Sequence, residues 1–166
     1  SMISGSCAHY DVMSFQGICD LPIQEIAADN AVLLMWWVAS QPKEALAVVD
    51  AWGFEMKTMT GFVWVKKTKH QKDFFGMGFY TRQGSENCLI AIRGKPKRLS
   101  ASVRAVVSEQ IGLHSEKPNI FREKIVELMG DVPRVELFAR QAFTGWDVFG
   151  NQVANSITLP LPTVGN

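Results

Sequence analysis

The residues best suited to chemistry lie near the C-terminus, in Arg134-Val-Glu-Leu-Phe-Ala-Arg-Gln-Ala-Phe-Thr-Gly-Trp-Asp-Val-Phe-Gly-Asn-Gln-Val153. An apolar run ends in Phe138-Ala-Arg140, and a loop then leads past Trp146 to Gly150-Asn-Gln152. A strand emptying into a loop that carries Arg, Asn and Gln is how an open α/β sheet builds a small-molecule pocket at its carboxyl edge. The amides of Asn151 and Gln152 suit hydroxyls and ring nitrogens. Spacing alone favours a plain strand connection; the residue types single the loop out.

Two basic stretches offer phosphate contacts. Lys66-Lys-Thr-Lys-His70-Gln-Lys72 is followed by Phe74-Phe75 and Phe79-Tyr80, placing aromatic rings beside the cations. The second stretch is Arg93-Gly-Lys-Pro-Lys-Arg98. An isolated basic run is usually a solvated loop. Here both runs follow strands, and both strand ends are expected at the active edge. Cys7, Cys19 and Cys88 are odd in number and share no metal spacing, so they read as buried or free thiols. His114 reads as a loop histidine, with no paired acid or Cys-His partner to make a metal site.

These groups must be held by a single domain of 166 residues, long enough to bury a core. With 47% hydrophobic and 20% charged residues it reads as globular, and a net charge of +1 leaves nucleic-acid contacts to local patches. No secretory signal opens the chain, and the apolar run near 31–39 is too short for a membrane span of about 20 residues. A cytoplasmic protein is expected. Residues 18–28 suggest a short amphipathic helix that Pro22 restricts to its start. Ala31 to Ala39 reads as a strand buried on both faces. Lys43 to Trp52 reads as a helix and Gly61 to Val65 as a strand; Asn87 to Ile92 is another strand, ended by Gly94. A helix follows Pro118 and closes at Gly130. Val135 to Phe138 and Ile157 to Leu161 are the last two strands, the latter kept short by Pro160 and Pro162. The alternation predicts an α/β fold with a mainly parallel sheet.

Several blocks resemble one family in order and spacing. They are Tyr10-Asp-Val-Met-Ser14, Val32-Leu-Leu-Met-Trp-Trp-Val38, Gly61-Phe-Val-Trp-Val-Lys66 and Glu86-Asn-Cys-Leu-Ile-Ala-Ile-Arg-Gly-Lys-Pro96. His114-Ser-Glu-Lys-Pro118 and the 138–152 segment complete the set. Together they are similar to the adenine-N6 methyltransferases that include the catalytic subunit of the eukaryotic messenger-RNA methylase and bacterial and phage DNA methylases. The resemblance implies a three-layer Rossmann-like fold, S-adenosylmethionine as cofactor, and nucleic acid as partner, with DNA favoured over RNA. It implies that Lys117 reaches the cofactor carboxylate, Arg140 its ribose region, and Asn151 and Gln152 its ribose and adenine. On the substrate side the candidates are Tyr10, as part of a mobile gate, and Lys66. Glu86 is taken as an acceptor for an adenine edge or a partner ordering Arg82. Without the family, Lys117 reads as a solvated lysine at a helix start.

One departure is large. The family's Asp-Pro-Pro-Trp signature is expected N-terminal to Tyr10, yet the prolines stand at 22, 42, 96, 118, 133, 160 and 162, with no two adjacent. Asp131-Val-Pro133 reads as a helix-to-strand turn and does not replace it. No catalytic residue is therefore assigned in this chain. Ser1-Met2 reads as a vector remnant before an N-terminally truncated domain that lacks a central strand. Such a chain is expected to reorganise, to pair with a second copy as a homodimer, or to fill the gap with its own termini. Ala142-Phe143, where the messenger-RNA enzyme has His-Asn, also departs from the family. A catalytically dead nucleic-acid-binding or scaffold subunit is the alternative to an enzyme.

Overall fold

In the computed structural model, residues 13–113, 116–150 and 153–159 are described in full, with the backbone of 2–3. The strands are β1 (Met2–Ile3), β2 (Ala31–Trp37), β3 (Glu55–Lys67), β4 (Ser85–Arg93), β5 (Val106–Gln110), β6 (Val135–Leu137) and β7 (Asp147–Phe149). The helices are α1 (Phe15–Cys19), α2 (Ile23–Ile26), α3 (Pro42–Ala51) and α4 (Ile120–Met129). All seven strands form one sheet in the order β5-β3-β4-β2-β1-β6-β7.

The sheet is mixed, a correction to the mainly parallel one expected. β4 runs antiparallel to both neighbours, β2 and β3, whereas β3–β5, β1–β2, β1–β6 and β6–β7 are parallel. The reason is connectivity. No helix intervenes between β3 and β4, so the chain returns directly instead of crossing over. The expected vacancy in the centre is also corrected. Met2 and Ile3 pair with Leu34 and Met35 on one side and with Glu136 and Leu137 on the other. Backbone groups of both neighbours thus meet a strand there, the solution in which the chain's own terminus fills the position.

Alternation along β2 divides the core. Leu33 and Met35 face one side, packed with Leu89 and Ala91 of β4, Ile18, Ile23 and the Ala45-Val48-Val49 face of α3. Leu34 and Trp36 face the other, with Cys88, Phe62, Trp64 and the Phe121 and Ile125 pair of α4. Helices therefore cover both faces, which is why β2 is apolar throughout. Two buried indoles reach acceptors: Trp52 Nε1 donates to the Ile18 carbonyl at 2.8 Å and Trp64 Nε1 to that of Glu109 at 2.9 Å, whereas Trp36 Nε1 meets no acceptor among the described residues. Cys88 is a buried free thiol and Cys19 is half-buried.

Local chemistry sets the helix limits. Pro22 separates α1 from α2, Pro42 occupies the first turn of α3, and Gly130 closes α4 with φ of 84°. Residues 157–159 are not a strand, contrary to expectation; they are coil from which Leu159 alone is buried in the core. No helix among the described residues is long and apolar enough to cross a membrane.

Candidate functional site

β1, β2, β3, β5, β6 and β7 end at one edge of the sheet, and β4 begins there. Trp37, the last residue of β2, pairs with Asn87, and Val65 of β3 pairs with Ser85. Glu86 sits between these two pairings, opposite Trp64. Lys66 follows on β3, while Lys117 arrives on the segment after β5 and Arg140 on the loop after β6.

Glu86 joins two of them. One carboxylate oxygen accepts from Lys117 Nζ at 2.7 Å, and the other lies 2.9 Å from Lys66 Nζ. Lys117 is not the solvated lysine that its sequence context suggests: its side chain is 1% exposed. Its ammonium lies 5.5 Å from the Trp36 ring centroid, while Lys66 lies 5.2 Å from Trp64 and 5.6 Å from Phe74. Indole faces thus supply part of the field that water would provide. Burial holds the Lys117 ammonium below the ordinary lysine value, against the opposing pull of Glu86. Burial also works to raise the Glu86 carboxyl, but Lys117 and Lys66 outweigh it and the net displacement is downward.

Glu86 lines one recess, and its partner Lys117 lines a second. A pocket of about 580 Å³ is lined by Lys66, Glu86, Trp37, Ser40, Asn87 and Phe79, among others. A recess of about 20 Å³, room for an oxygen atom or two, is lined by Lys117, Arg140, Glu116, Arg122, Glu136 and Phe143 among its residues. The structure therefore brings Lys66, Glu86, Lys117 and Arg140 to one region. Tyr10, Asn151 and Gln152, and also His114 and Cys7, lie outside the described residues. Arg82 does not partner Glu86 as anticipated; its guanidinium reaches the Met77 sulfur at 3.5 Å.

The floor of the small recess was not foreseen from sequence. Arg122 of α4 makes a two-pronged pair with Glu136 of β6, at 3.0 and 2.8 Å, with both side chains nearly inaccessible. Phe143, one of the two residues that depart from the family pattern, sets its ring against that guanidinium, with 3.4 Å between the ring centroid and the guanidinium carbon. Burial raises the Glu136 carboxyl, and the Arg122 pairing works against the rise. A signal existed: Arg122 falls one residue after Phe121, on the inner side of α4, where a lone arginine needs an acid. At the end of β6, Phe138 takes a φ of 57°, uncommon for a bulky residue, and this bend turns the chain toward Arg140.

The two basic runs do not share the active edge, which corrects the sequence reading. Lys66–Lys72 follows the carboxyl end of β3. Arg93, however, pairs with Ala31, and Ile92 with Glu55, the first residues of β2 and β3. Because β4 is antiparallel, its end delivers 93–98 to the opposite edge.

Comparison with known proteins places this geometry in a family context. The MT-A70 profile matches residues 2–152. The type II methyltransferase M.MunI of a Mycoplasma species is 31% identical over 165 residues, covering 98% of this chain and 67% of that protein. The human N(6)-adenosine-methyltransferase catalytic subunit METTL3 is 23% identical over 133 residues, covering 77% of this chain and 23% of that protein. Human N(6)-adenine-specific methyltransferase METTL4 is 27% identical over 158 residues, covering 87% of this chain and 33% of that protein. The chain thus spans about two thirds of the Mycoplasma relative and a third or less of the human ones.

Proposed function

The chain belongs to the MT-A70 family of N6-adenine methyltransferases, and from that premise we propose that its carboxyl edge binds S-adenosylmethionine and an adenine nucleotide side by side. The observation that carries this reading is Glu86, which lines the larger pocket and also holds Lys117 in the wall of the smaller recess. The three-layer mixed sheet is read as the family's version of a Rossmann-like fold.

The residues present fit the charged end of the cofactor. Lys117 and Arg140, with Arg122, outnumber the carboxylates Glu116 and Glu136 in the lining of one recess that admits a carboxylate oxygen and little more. The cofactor supplies the sulfonium methyl. The chain supplies orientation and exclusion of water. In the larger pocket Glu86 and Asn87 offer acceptors to an exocyclic amine, Lys66 offers a cation to a phosphate, and Trp37 and Phe79 offer apolar faces for a base. A volume of about 580 Å³ is within the range of small-molecule sites. DNA is favoured as substrate because the relative matched over 98% of this chain is a type II methyltransferase.

A second reading rests on a specific observation. These 166 residues contain no adjacent prolines, so no acid-Pro-Pro segment is present to aim the amine. On that ground the chain binds cofactor and nucleic acid but does not transfer methyl by itself. Competition binding tests the main reading: an oligonucleotide containing adenine is measured against one with purine, which lacks the amine, in wild type and in folded Glu86→Ala, which removes the acceptor. The wild type is expected to prefer adenine about tenfold and the variant to lose that preference. Equal affinity for both oligonucleotides in the wild type refutes it. Methyl incorporation by this chain alone would refute the non-catalytic reading.

A further inference from the structure

The second basic run lies away from the site and has no role in the reading above. Residues 87–108 contain five of the 17 basic residues and none of the 16 acidic ones. The rest of the chain, with twelve basic against sixteen acidic residues, is net negative. Charge is therefore concentrated here although the whole molecule is nearly neutral.

The segment is anchored at both ends. Arg93 donates to the carbonyls of Gln24 and Ala27 at 3.1 and 3.2 Å, so this cation is occupied structurally. The Lys95 amide donates to Asn30 Oδ1 at 2.8 Å. The amides of Leu99 and Ser100 donate to the Leu128 carbonyl, at 2.7 and 3.3 Å, at the end of α4. Between these ties Lys95, Lys97 and Arg98 are exposed, and among the described residues none has an acid within ion-pair distance. Lys66 and Lys67, at the other edge, each hold a carboxylate.

We propose that Lys95, Lys97 and Arg98 form a second contact for the phosphate backbone, at the amino edge of the sheet, engaged only by a nucleic acid long enough to reach both edges. The proposal rests on the nucleic-acid reading of the site and adds to it a surface separated by the length of β4. Nine strand residues span roughly 30 Å. A duplex rising about 3.4 Å per base pair needs roughly nine base pairs to cover that distance.

The test uses the full chain and hairpin duplexes of about 6 and about 24 base pairs, titrated across a range of salt. In the triple variant K95Q/K97Q/R98Q, affinity for the long duplex is expected to fall at least tenfold. Its log–log salt slope should become shallower by about 2 to 3, while the short duplex changes less than twofold. All three side chains are exposed, so an unchanged thermal melt is the folding control. A long-duplex affinity and slope equal to wild type overturns this inference alone, provided that Lys69→Gln/Lys72→Gln weakens both duplexes. Failure of the wild type to bind either duplex overturns the nucleic-acid reading with it. Competition by poly-glutamate as strong as by duplex assigns the surface to an acidic protein and also overturns it.

Discussion

Glu86 is the residue on which the site depends. Replacing it with Gln leaves the Lys117 ammonium buried without its counter-charge. Breaking a buried pair costs ~3–5 kcal/mol, and because the Glu86 side chain is 25% exposed we expect the low end, about 3 kcal/mol, by urea denaturation. The pH dependence has a defined sign. The folded-state carboxyl lies below its unfolded value, so its contribution is present above about pH 4.3 and is lost as pH falls through the folded value. Melting temperatures of wild type should therefore drop more steeply in acid than those of Glu86→Gln, and parallel curves would contradict the assignment. Arg122 and Glu136 make a second prediction. Glu136→Ala is expected to cost ~3–5 kcal/mol, whereas Arg122→Met with Glu136→Leu should stay near wild type, because a buried pair can be exchanged for apolar volume. A single-variant cost below about 1 kcal/mol would show that the pair does not hold α4 to β6.

At the scale of elements, β6, β7 and the β3–β4 connection position the site. Gly150 follows β7 with its α-carbon against the Ala139 backbone, where no Cβ fits. Gly150→Ala should destabilise by ~1–3 kcal/mol and loosen the Arg140 loop, which calorimetric unfolding would report. The β3–β4 connection is different. Met77 is 86% exposed and Phe75, Phe79 and Tyr80 are also exposed, so they contribute little to folding. Phe79→Ala/Tyr80→Ala should change stability by less than about 0.5 kcal/mol yet weaken single-strand binding by ~1–3 kcal/mol per lost stack. Long apolar or amphipathic segments were legible: β2, α3 and α4 follow from the run at 31–39 and from spaced apolar residues before Gly53 and Gly130. β5 and β7 were not. Val106–Gln110 is an edge strand whose burial alternates weakly, and Asp147–Phe149, at three residues, is too short to stand out from its loop. Residues 55–60 of β3 are mostly polar and become strand through pairing with β4, a long-range effect that local pattern does not contain.

For the molecule as a whole, the antiparallel β4 matters most. It places Glu86 at the carboxyl edge, where Lys66, Lys117 and Arg140 converge, and it carries Arg93–Arg98 to the amino edge. Sequence order put both basic runs after strands, and only strand direction separates them. Family resemblance pointed to Lys117 and Arg140, and residue type to Lys66 and Glu86. Their convergence depends on four different segments of chain and so was not readable from any one of them. The central proposal is that Lys117 and Arg140 hold the anionic, carboxylate end of the cofactor in this MT-A70 domain. Isothermal titration of S-adenosylhomocysteine into folded wild type, Lys117→Met, Arg140→Gln and the K95Q/K97Q/R98Q variant tests it most directly. We expect saturable binding by wild type and by the amino-edge variant, and at least a tenfold loss in each of the other two. Equal affinity in all four proteins, or no binding by a folded wild type, would contradict it.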